Sequence, residues 1–346
     1  MNVAVRERGQ GPASPLSTAQ GDEALLRLDN LRVAFNGVPT VHGVSLDIAK
    51  GEALGLVGES GSGKSVTWLA TLGLLTGRVG VTGRALLNGQ DLLTLPERRM
   101  ARIRGGRIAM IFQDPASALN PLMTIRGQIG EALALHQGLS GRAITDEARR
   151  LLDLVGIPDA KARLSAYPHE FSGGQSQRVM IAMALAGRPD LLIADEPTTA
   201  LDVTIQAQIL DLLAKIRIET GMAMVLISHD LSVIAQTCDR VAVMYAGHIV
   251  EAGPAGAVFK DPAHPYTNAL ISAVPRVEGP RQRLTEISGA MPDPKSPEPG
   301  CAFAPRCALT EAACVKALPP TTAFAPARAS ACPVLLAAQR QMGVAR

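Results

Sequence analysis

The chain has 346 residues, of which 47% are hydrophobic and 3% aromatic, so we expect one main domain with an aliphatic interior plus a smaller appendage. A formal net charge of +3, without a concentrated basic face, argues against nucleic acid as a partner. No apolar run approaches the roughly 18 residues that cross a bilayer, so we expect a cytosolic chain.

The beginning of the chain, residues 1–24, mixes Gly, Pro, Ser, Gln and charges without apolar periodicity and without the apolar stretch of a signal peptide. We expect a disordered leader there. From about Leu25 to Ala255, short apolar runs alternate with helical patterns, which predicts an α/β domain whose helices flank a sheet. The apolar spacing from Val203 to Ile218 predicts a helix. The predicted strands are Leu54 to Val57, Leu191 to Ala194, Met224 to Ile227 and Val241 to Tyr245.

A phosphate-binding loop follows the first of these strands, with the sequence Gly58-Glu59-Ser60-Gly61-Ser62-Gly63-Lys64-Ser65. Its glycines allow backbone N–H groups to converge on phosphates at the start of a helix. Lys64 is suited to the β- and γ-phosphate oxygens, and the Ser65 hydroxyl is suited to Mg²⁺. A plain glycine-rich turn would not require Lys and Ser in register at a helix start. The segment therefore predicts a site for a nucleoside triphosphate with Mg²⁺.

Two acidic residues end the strand at Leu191 to Ala194. The carboxylate of Asp195 contributes nothing to hydrophobic packing there, but it can reach Mg²⁺ at the carboxyl end of the strand. Glu196 can accept a hydrogen bond from the attacking water, which is the role of a general base. The alternative is that both are solvated acidic residues at a strand end without a role in catalysis. The complete phosphate-binding loop nearby argues against this alternative.

The segment Phe171-Ser172-Gly173-Gly174-Gln175, followed by a helical run, resembles the signature motif of the ABC ATPase family, with Phe in place of the commoner Leu. The resemblance spans about Leu25 to Gly253. It implies a P-loop NTPase (RecA-like) nucleotide-binding domain with a helical subdomain at about residues 114–180 and an antiparallel β subdomain. It also implies a head-to-tail dimer in which this segment contacts the ATP held by the partner.

Other elements of the family match at single positions. Gln113 matches the glutamine that senses Mg²⁺ and the membrane partner, and His229 matches the histidine that contacts the γ-phosphate. In Ala200-Leu201-Asp202, the aspartate matches the one that lies across the dimer interface. Phe35 matches the aromatic that stacks on adenine, although a core role is nearly as well supported. The resemblance thus implies Glu196, His229 and Gln113 as catalytic residues, with Ser65, Gln113 and Asp195 around Mg²⁺.

Several separated segments resemble the dipeptide and oligopeptide importer branch of the family. They are Gln113-Asp114-Pro115 with Leu119-Asn120-Pro121, Tyr167-Pro168-His169-Glu170, His264-Pro265-Tyr266-Thr267, and Gly300-Cys301-Ala302-Phe303 with Pro305-Arg306-Cys307. This branch implies a related but distinct second ATPase subunit, two transmembrane permease subunits and an extracytoplasmic solute-binding protein. The chain would then act at the cytoplasmic face of the inner membrane. Relatives in the branch also import nickel chelates and glutathione, so the cargo stays open.

Three other functions compete with transport. A soluble ABC ATPase of translation or DNA repair would use the same site, but such proteins usually carry two cassettes or long coiled coils. A nucleotide-binding scaffold would not need Glu196 and His229. A P-loop kinase or GTPase would not carry the signature segment.

Beyond Gly253 the composition shifts to Pro, Ala and Cys, which predicts a small C-terminal domain at residues 256–335 followed by a tail at residues 336–346. A stiff extended linker is expected at Pro292, Pro294, Pro297 and Pro299. Four wide-spaced cysteines suit an iron–sulfur cluster, although zinc or free thiols are alternatives. Some members of the resembled branch hold such a cluster here, so the resemblance favours [4Fe–4S] at Cys301, Cys307, Cys314 and Cys332.

Overall fold

The computed structural model describes residues 24–199, 201–274, 287–296 and 299–337. The predicted leader up to residue 23, and most of the predicted tail, lie outside the described residues. The described strands are β1 (Ala24–Phe35), β2 (Val38–Ala49), β3 (Ala53–Val57), β4 (Val79–Leu87), β5 (Gln90–Asp91), β6 (Ile108–Ile111), β7 (Leu191–Asp195), β8 (Ala223–Ile227), β9 (Arg240–Tyr245), β10 (His248–Pro254), β11 (Thr322–Ala325) and β12 (Arg328–Ser330).

The helices flank these strands on both sides. They are α1 (Lys64–Thr71), α2 (Glu97–Ile103), α3 (Pro115–Ala118), α4 (Ile125–Gln137), α5 (Gly141–Leu154), α6 (Ala160–Arg163), α7 (Gly173–Leu185), α8 (Val203–Thr220), α9 (Leu231–Thr237), α10 (Ala255–Lys260), α11 (Pro265–Ala273) and α12 (Ala312–Lys316). None of the helices in the described ranges is long and apolar enough to cross a membrane.

A central sheet of eight strands has the order β11-β12-β10-β9-β3-β8-β7-β6. Strands β6, β7, β8, β3 and β9 run parallel, and every residue of β3, β7, β8 and β9 is buried. Near-continuous Val, Ile, Leu and Ala in these strands fit a sheet that is covered on both faces. The four predicted strands and the predicted helix are confirmed, with ends that differ by one or two residues.

A second sheet is antiparallel, with the order β2-β1-β4-β5. Its buried side chains share one core with α1 and one face of the central sheet. On the other face, a second core includes helices α4, α5 and α7, which follow β6 along the chain. The predicted α/β fold, with an antiparallel β subdomain and a helical subdomain, is confirmed.

The C-terminal region is continuous with the rest of the protein. Strand β12 pairs with β10, with Glu251 opposite Ser330, so β11 and β12 extend the central sheet. The side chains of Tyr266 and Phe303 belong to the same core as α4 and α7. This region therefore shares its sheet and core with the nucleotide-binding domain, whereas the sequence predicts a small domain of its own.

Candidate functional site

The predicted phosphate-binding loop, residues 58–65, connects the end of β3 to the first turn of α1. Gly61 and Gly63 have φ angles of 80° and 102°, in the left-handed region that glycine adopts without strain. A Cβ at Gly58 would lie 2.1 Å from the carbonyl oxygen of Met244, so glycine allows the loop to pass close to β9. The loop thus lies at the carboxyl edge of the parallel strands, where such sheets bind ligands.

Lys64 is the first residue of α1 and is buried. Its ammonium group donates hydrogen bonds to the carbonyl oxygens of Gly58 and Glu59, at 2.7 and 2.9 Å. Burial lowers the pKa of Lys64, and the carboxylates of Glu196 and Asp195 act in the opposite direction. A positive charge in this position can neutralise phosphate oxygens.

Asp195 is the last residue of β7 and is buried, as the strand-end position predicts. Burial raises the pKa of this carboxyl group, while its hydrogen bond with Ser65 and the charge of Lys64 lower it. The structure therefore brings together the serine and the aspartate that were predicted to hold Mg²⁺. Hydroxyl and carboxylate oxygens are the ligands that Mg²⁺ prefers, so this pair fits the ion.

Glu196 receives contacts from three sides. Its Oε2 atom accepts hydrogen bonds from the Gln113 amide at 3.1 Å and from the Thr199 hydroxyl at 3.0 Å, and it lies 3.5 Å from Nδ1 of His229. The φ angle of Glu196 is 48°, which is uncommon for a residue with a Cβ. The structure thus places Gln113 and His229, the other two predicted catalytic residues, around the carboxylate of Glu196. Thr199 could not be predicted from the sequence, because nothing distinguishes it from Thr198 beside it.

The predicted signature segment forms the start of α7. The Ser172 side chain caps this helix by accepting a hydrogen bond from the Gln175 amide, and Gln175 bonds back to the Ser172 amide. Together they form a capping box. Gly173 and Gly174 are the first two residues of α7, so their backbone N–H groups lie at the helix N-terminus.

The predicted aspartate of the dimer interface also caps a helix. Asp202 accepts a hydrogen bond from the Ile205 amide at the start of α8. A Cβ at Gly174 would lie 2.8 Å from Cγ2 of Ile205, so the starts of α7 and α8 are in close contact. Ala200 lies outside the described residues.

Phe35 is the last residue of β1 and is half-buried. It lies opposite Val38 of β2 and Val79 of β4, and it packs against the core beneath the antiparallel sheet. Its role in binding adenine stays a prediction.

The four cysteines of the C-terminal region line one small cavity together with Phe303 and Ala304. Three of them accept backbone N–H groups at sulfur: Cys301 from residues 303 and 304, Cys332 from residues 334 and 335, and Cys307 from Leu309. Burial raises the pKa of the Cys301 and Cys332 thiols. Within the described ranges, no three His, Cys, Asp or Glu side chains are spaced as a metal site. The four predicted cysteine ligands therefore line one cavity, but the structure does not arrange them as the ligands of a metal site.

The fold and the site define a P-loop nucleoside triphosphatase. Its phosphate-binding loop, the pair Ser65 and Asp195 and the carboxylate of Glu196 lie together at the carboxyl edge of β3, β7 and β8.

Comparisons with known proteins define this class further. The family described as "ABC transporter" matches residues 41–199, and the family described as "Oligopeptide/dipeptide transporter, C-terminal region" matches residues 250–314. Among solved structures, cbiO1 from Clostridium perfringens, part of an ABC transporter complex, is similar with a TM-score of 0.61 and 27% identity, over 69% of this chain and 92% of that one. A dimeric ATP-binding cassette bound to ADP and Pi is similar with a TM-score of 0.59 and 28% identity, over 66% of this chain and 98% of that one.

Curated relatives match over most of the chain. The dipeptide transport ATP-binding protein DppD of Bacillus subtilis is 50% identical over 307 residues, which is 87% of this chain and 91% of the relative. The oligopeptide transport ATP-binding protein OppD of Salmonella typhimurium is 48% identical over 319 residues, which is 90% of this chain and 94% of the relative. The chain therefore belongs to the ABC transporter family, as one of its ATP-hydrolysing subunits.

Proposed function

We propose that the chain powers the import of dipeptides, oligopeptides or related small solutes across the bacterial inner membrane. It would act as a peripheral subunit at the cytoplasmic face, together with two transmembrane permease subunits and an extracytoplasmic solute-binding protein. One observation carries the proposal: the contacts of Gln113, Thr199 and His229 with Glu196 occur in a chain whose residues 250–314 match the oligopeptide/dipeptide transporter C-terminal region. The names of DppD and OppD support peptides as the cargo.

Transport can be tested in liposomes that contain the chain, its partner ATPase and the two permease subunits, with the solute-binding protein outside. We expect uptake of labelled dipeptides or oligopeptides that requires ATP inside and stops when Glu196→Gln replaces the parent chain. Uptake of a nickel chelate or of glutathione in place of peptides would show that the cargo is another solute of the same branch. Purification from membranes without any integral membrane subunit would instead favour a soluble ABC ATPase.

We propose further that the second ATPase of the complex is a related but distinct chain. The exposed start of α7, capped by Ser172, supports pairing with the nucleotide of a partner, because a single γ-phosphate does not need two helix N-termini. Mass spectrometry of the complex purified through this chain tests the pairing. Two different ATPase chains in equal amounts are expected, and a single ATPase chain would contradict the proposal.

We also propose that Cys301, Cys307, Cys314 and Cys332 hold an iron–sulfur cluster of the four-iron type. Three of these thiols accept backbone N–H groups at sulfur, contacts that would stabilise the thiolates such clusters require and that act against the larger effect of burial, which raises the pKa of Cys301 and Cys332. All four cysteines line one cavity. When bound, the cluster would supply structural cross-linking of the region, since ATP-driven transport needs no electron.

The cluster can be tested by purifying the protein without oxygen. We expect a brown protein that contains iron and sulfide and absorbs broadly at about 400 nm, as thiolate-bound iron does. Cys307→Ser should lose this band. Cys238→Ser is the matched control, because Cys238 is buried away from the cavity and burial raises its pKa to about 12. Colourless protein that carries zinc or no metal would contradict the proposal.

A further inference from the structure

A C-terminal arginine reaches the phosphate-binding loop. Arg306 lies in the short turn Ala304–Arg306, far along the chain from the loop, and its Nη1 atom donates to both carboxylate oxygens of Glu59 at 3.1 and 3.0 Å. The arginine side chain is 5% exposed and the glutamate side chain 28%. This ion pair is therefore shielded from water on the arginine side and is stronger than a pair on an open surface.

The guanidinium group of Arg306 is fixed by its other contacts. Nε donates to the carbonyl oxygen of Ser288 at 2.9 Å, and Nη2 donates to that of Ile287 at 3.0 Å. The group also lies 5.8 Å from the ring centres of Tyr245 and Phe303, and Nη1 donates to the Tyr245 hydroxyl at 3.2 Å. Two carbonyl oxygens and a hydroxyl accept its N–H groups, and two aromatic rings lie beside it. The position of the positive charge is therefore fixed before any ligand binds.

Glu59 in turn is linked to the residues that face the phosphates. Its amide donates to the hydroxyl of Tyr266, a fully buried residue of α11, at 2.8 Å. Its carbonyl oxygen accepts the Lys64 ammonium at 2.9 Å and the Ser62 amide at 3.2 Å. Side chain and backbone of Glu59 thus connect the C-terminal region to the loop and to its lysine.

We propose that Arg306 is a positioning residue for the phosphate-binding loop and that, through Glu59, it raises the affinity for ATP. Two effects combine. The contact fixes the backbone of the loop at Glu59, and the guanidinium neutralises a carboxylate that would otherwise face a polyanionic ligand at short range. The C-terminal region therefore acts directly on the ATP site, in addition to any role in assembly.

The inference rests on the ATP site described above, and binding of MgATP to the full-length parent chain tests that site separately. If the parent binds no MgATP, the site itself is wrong. If the parent binds, Arg306→Gln should weaken binding by about tenfold, which corresponds to about 1.4 kcal/mol. Arg306→Lys keeps the charge without the fixed planar group and should lose less.

The double variant Glu59→Gln with Arg306→Gln isolates the electrostatic effect of Arg306 on the Glu59 carboxylate, because it also lacks the contact that fixes the loop. Removing the unpaired carboxylate should restore MgATP affinity to within about threefold of the parent, since the repulsion is gone. A purely structural loss would not be rescued by removing a second partner. Unchanged affinity in Arg306→Gln, or a loss that the double variant fails to recover, would overturn the inference.

Arg328→Gln provides the matched control. Arg328 is an arginine of β12 with 11% side-chain exposure, and it pairs with the buried Glu251 instead of with the loop. Its replacement should lower the thermal stability at least as much as Arg306→Gln does while MgATP affinity stays at the parent value. If Arg306→Gln does not fold, Arg306→Lys against Arg328→Lys gives the same comparison.

Discussion

The side-chain amide of Gln113 donates a hydrogen bond of 3.1 Å to Oε2 of Glu196. Gln113 follows β6 and Glu196 follows β7, and these two strands are neighbours at the edge of the parallel part of the sheet. A movement of the segment after β6 therefore changes the surroundings of the carboxylate directly. This contact offers a physical route by which a partner on that surface could influence hydrolysis.

The first prediction concerns this carboxylate. Glu196→Gln removes the group able to accept a proton from water but keeps the size of the side chain. We expect ATP binding to persist while turnover in the assembled transporter falls by about 10²-fold or more. Turnover at the parent rate would show that another group activates the water. Thr199→Val, which removes one hydrogen bond to the same oxygen atom, should give a smaller loss.

The second prediction concerns Lys64. Lys64→Ala should weaken ATP binding itself by roughly 10- to 100-fold, because charge-assisted hydrogen bonds worth about 1.5–3 kcal/mol are lost. Lys215→Ala is the control, since Lys215 is exposed on α8 and pairs with Glu219. Equilibrium titration with MgATP measures both. Equal affinities for the two variants would contradict the role of Lys64.

The third prediction concerns Mg²⁺. Removal of Mg²⁺ by a chelator should abolish hydrolysis, because the ion offsets the charge on the transferring phosphoryl group. Asp195→Asn keeps the shape of the side chain but loses the charge beside Ser65. It should raise the Mg²⁺ concentration at half-maximal turnover. A Mg²⁺ requirement that matches the parent would place the ion elsewhere.

The fourth prediction concerns the start of α7. The isolated chain should bind ATP but turn it over slowly, and turnover should rise when the partner subunits are added, because Ser172 and Gly174 are proposed to contact the ATP of a partner. Ser172→Ala also removes a helix cap worth about 1 kcal/mol. Ser172→Asn can retain that cap, so it should lower turnover without lowering thermal stability. Fast turnover independent of concentration and of partner subunits would contradict the dimer.

Much of the fold and site could be predicted because the signals are local. Strands β7 and β8 are unbroken apolar runs, which predict buried strands wherever they occur. The loop from Gly58 to Ser65 is contiguous, so its chemistry can be read without knowing the fold. The order of the acidic pair and His229 relative to these strands then placed them at one edge of the sheet.

The contacts of the C-terminal region could not be predicted, because they join residues that are distant in sequence. Arg306 and Glu59 are 247 positions apart, and no local pattern links them. Strand β12 has only three residues, Arg328–Ser330, and is defined by its pairing with β10 more than by its own composition. Its proline-rich and cysteine-rich surroundings predict a separate unit. The pairing of β12 with β10, which joins this region to the central sheet, has no local signal in the sequence.

The last prediction concerns pH. The rings of His42 and His248 are stacked, with centres 4.5 Å apart and planes 7° from parallel. Burial lowers the pKa of His248 from 6.5 to about 4, and the charges of His42 and Arg32 act in the same direction. Between these two values the unfolded chain binds a proton that the folded chain does not. The free energy of unfolding should therefore decrease as the pH falls from about 6.5 towards 4, by at most about 3 kcal/mol from this residue.

His248→Phe keeps a ring for stacking but cannot bind a proton. Chemical denaturation of parent and variant in steps across this pH range measures the difference. The variant should lose less stability than the parent on acidification. It should keep the contribution of His264, whose pKa burial lowers to about 3 and whose ring nitrogen accepts the Tyr266 amide. Because His264 is unchanged in both proteins, its effect cancels in the comparison. Parallel stability curves for parent and variant would show that the stacked pair does not exclude protons from the folded state.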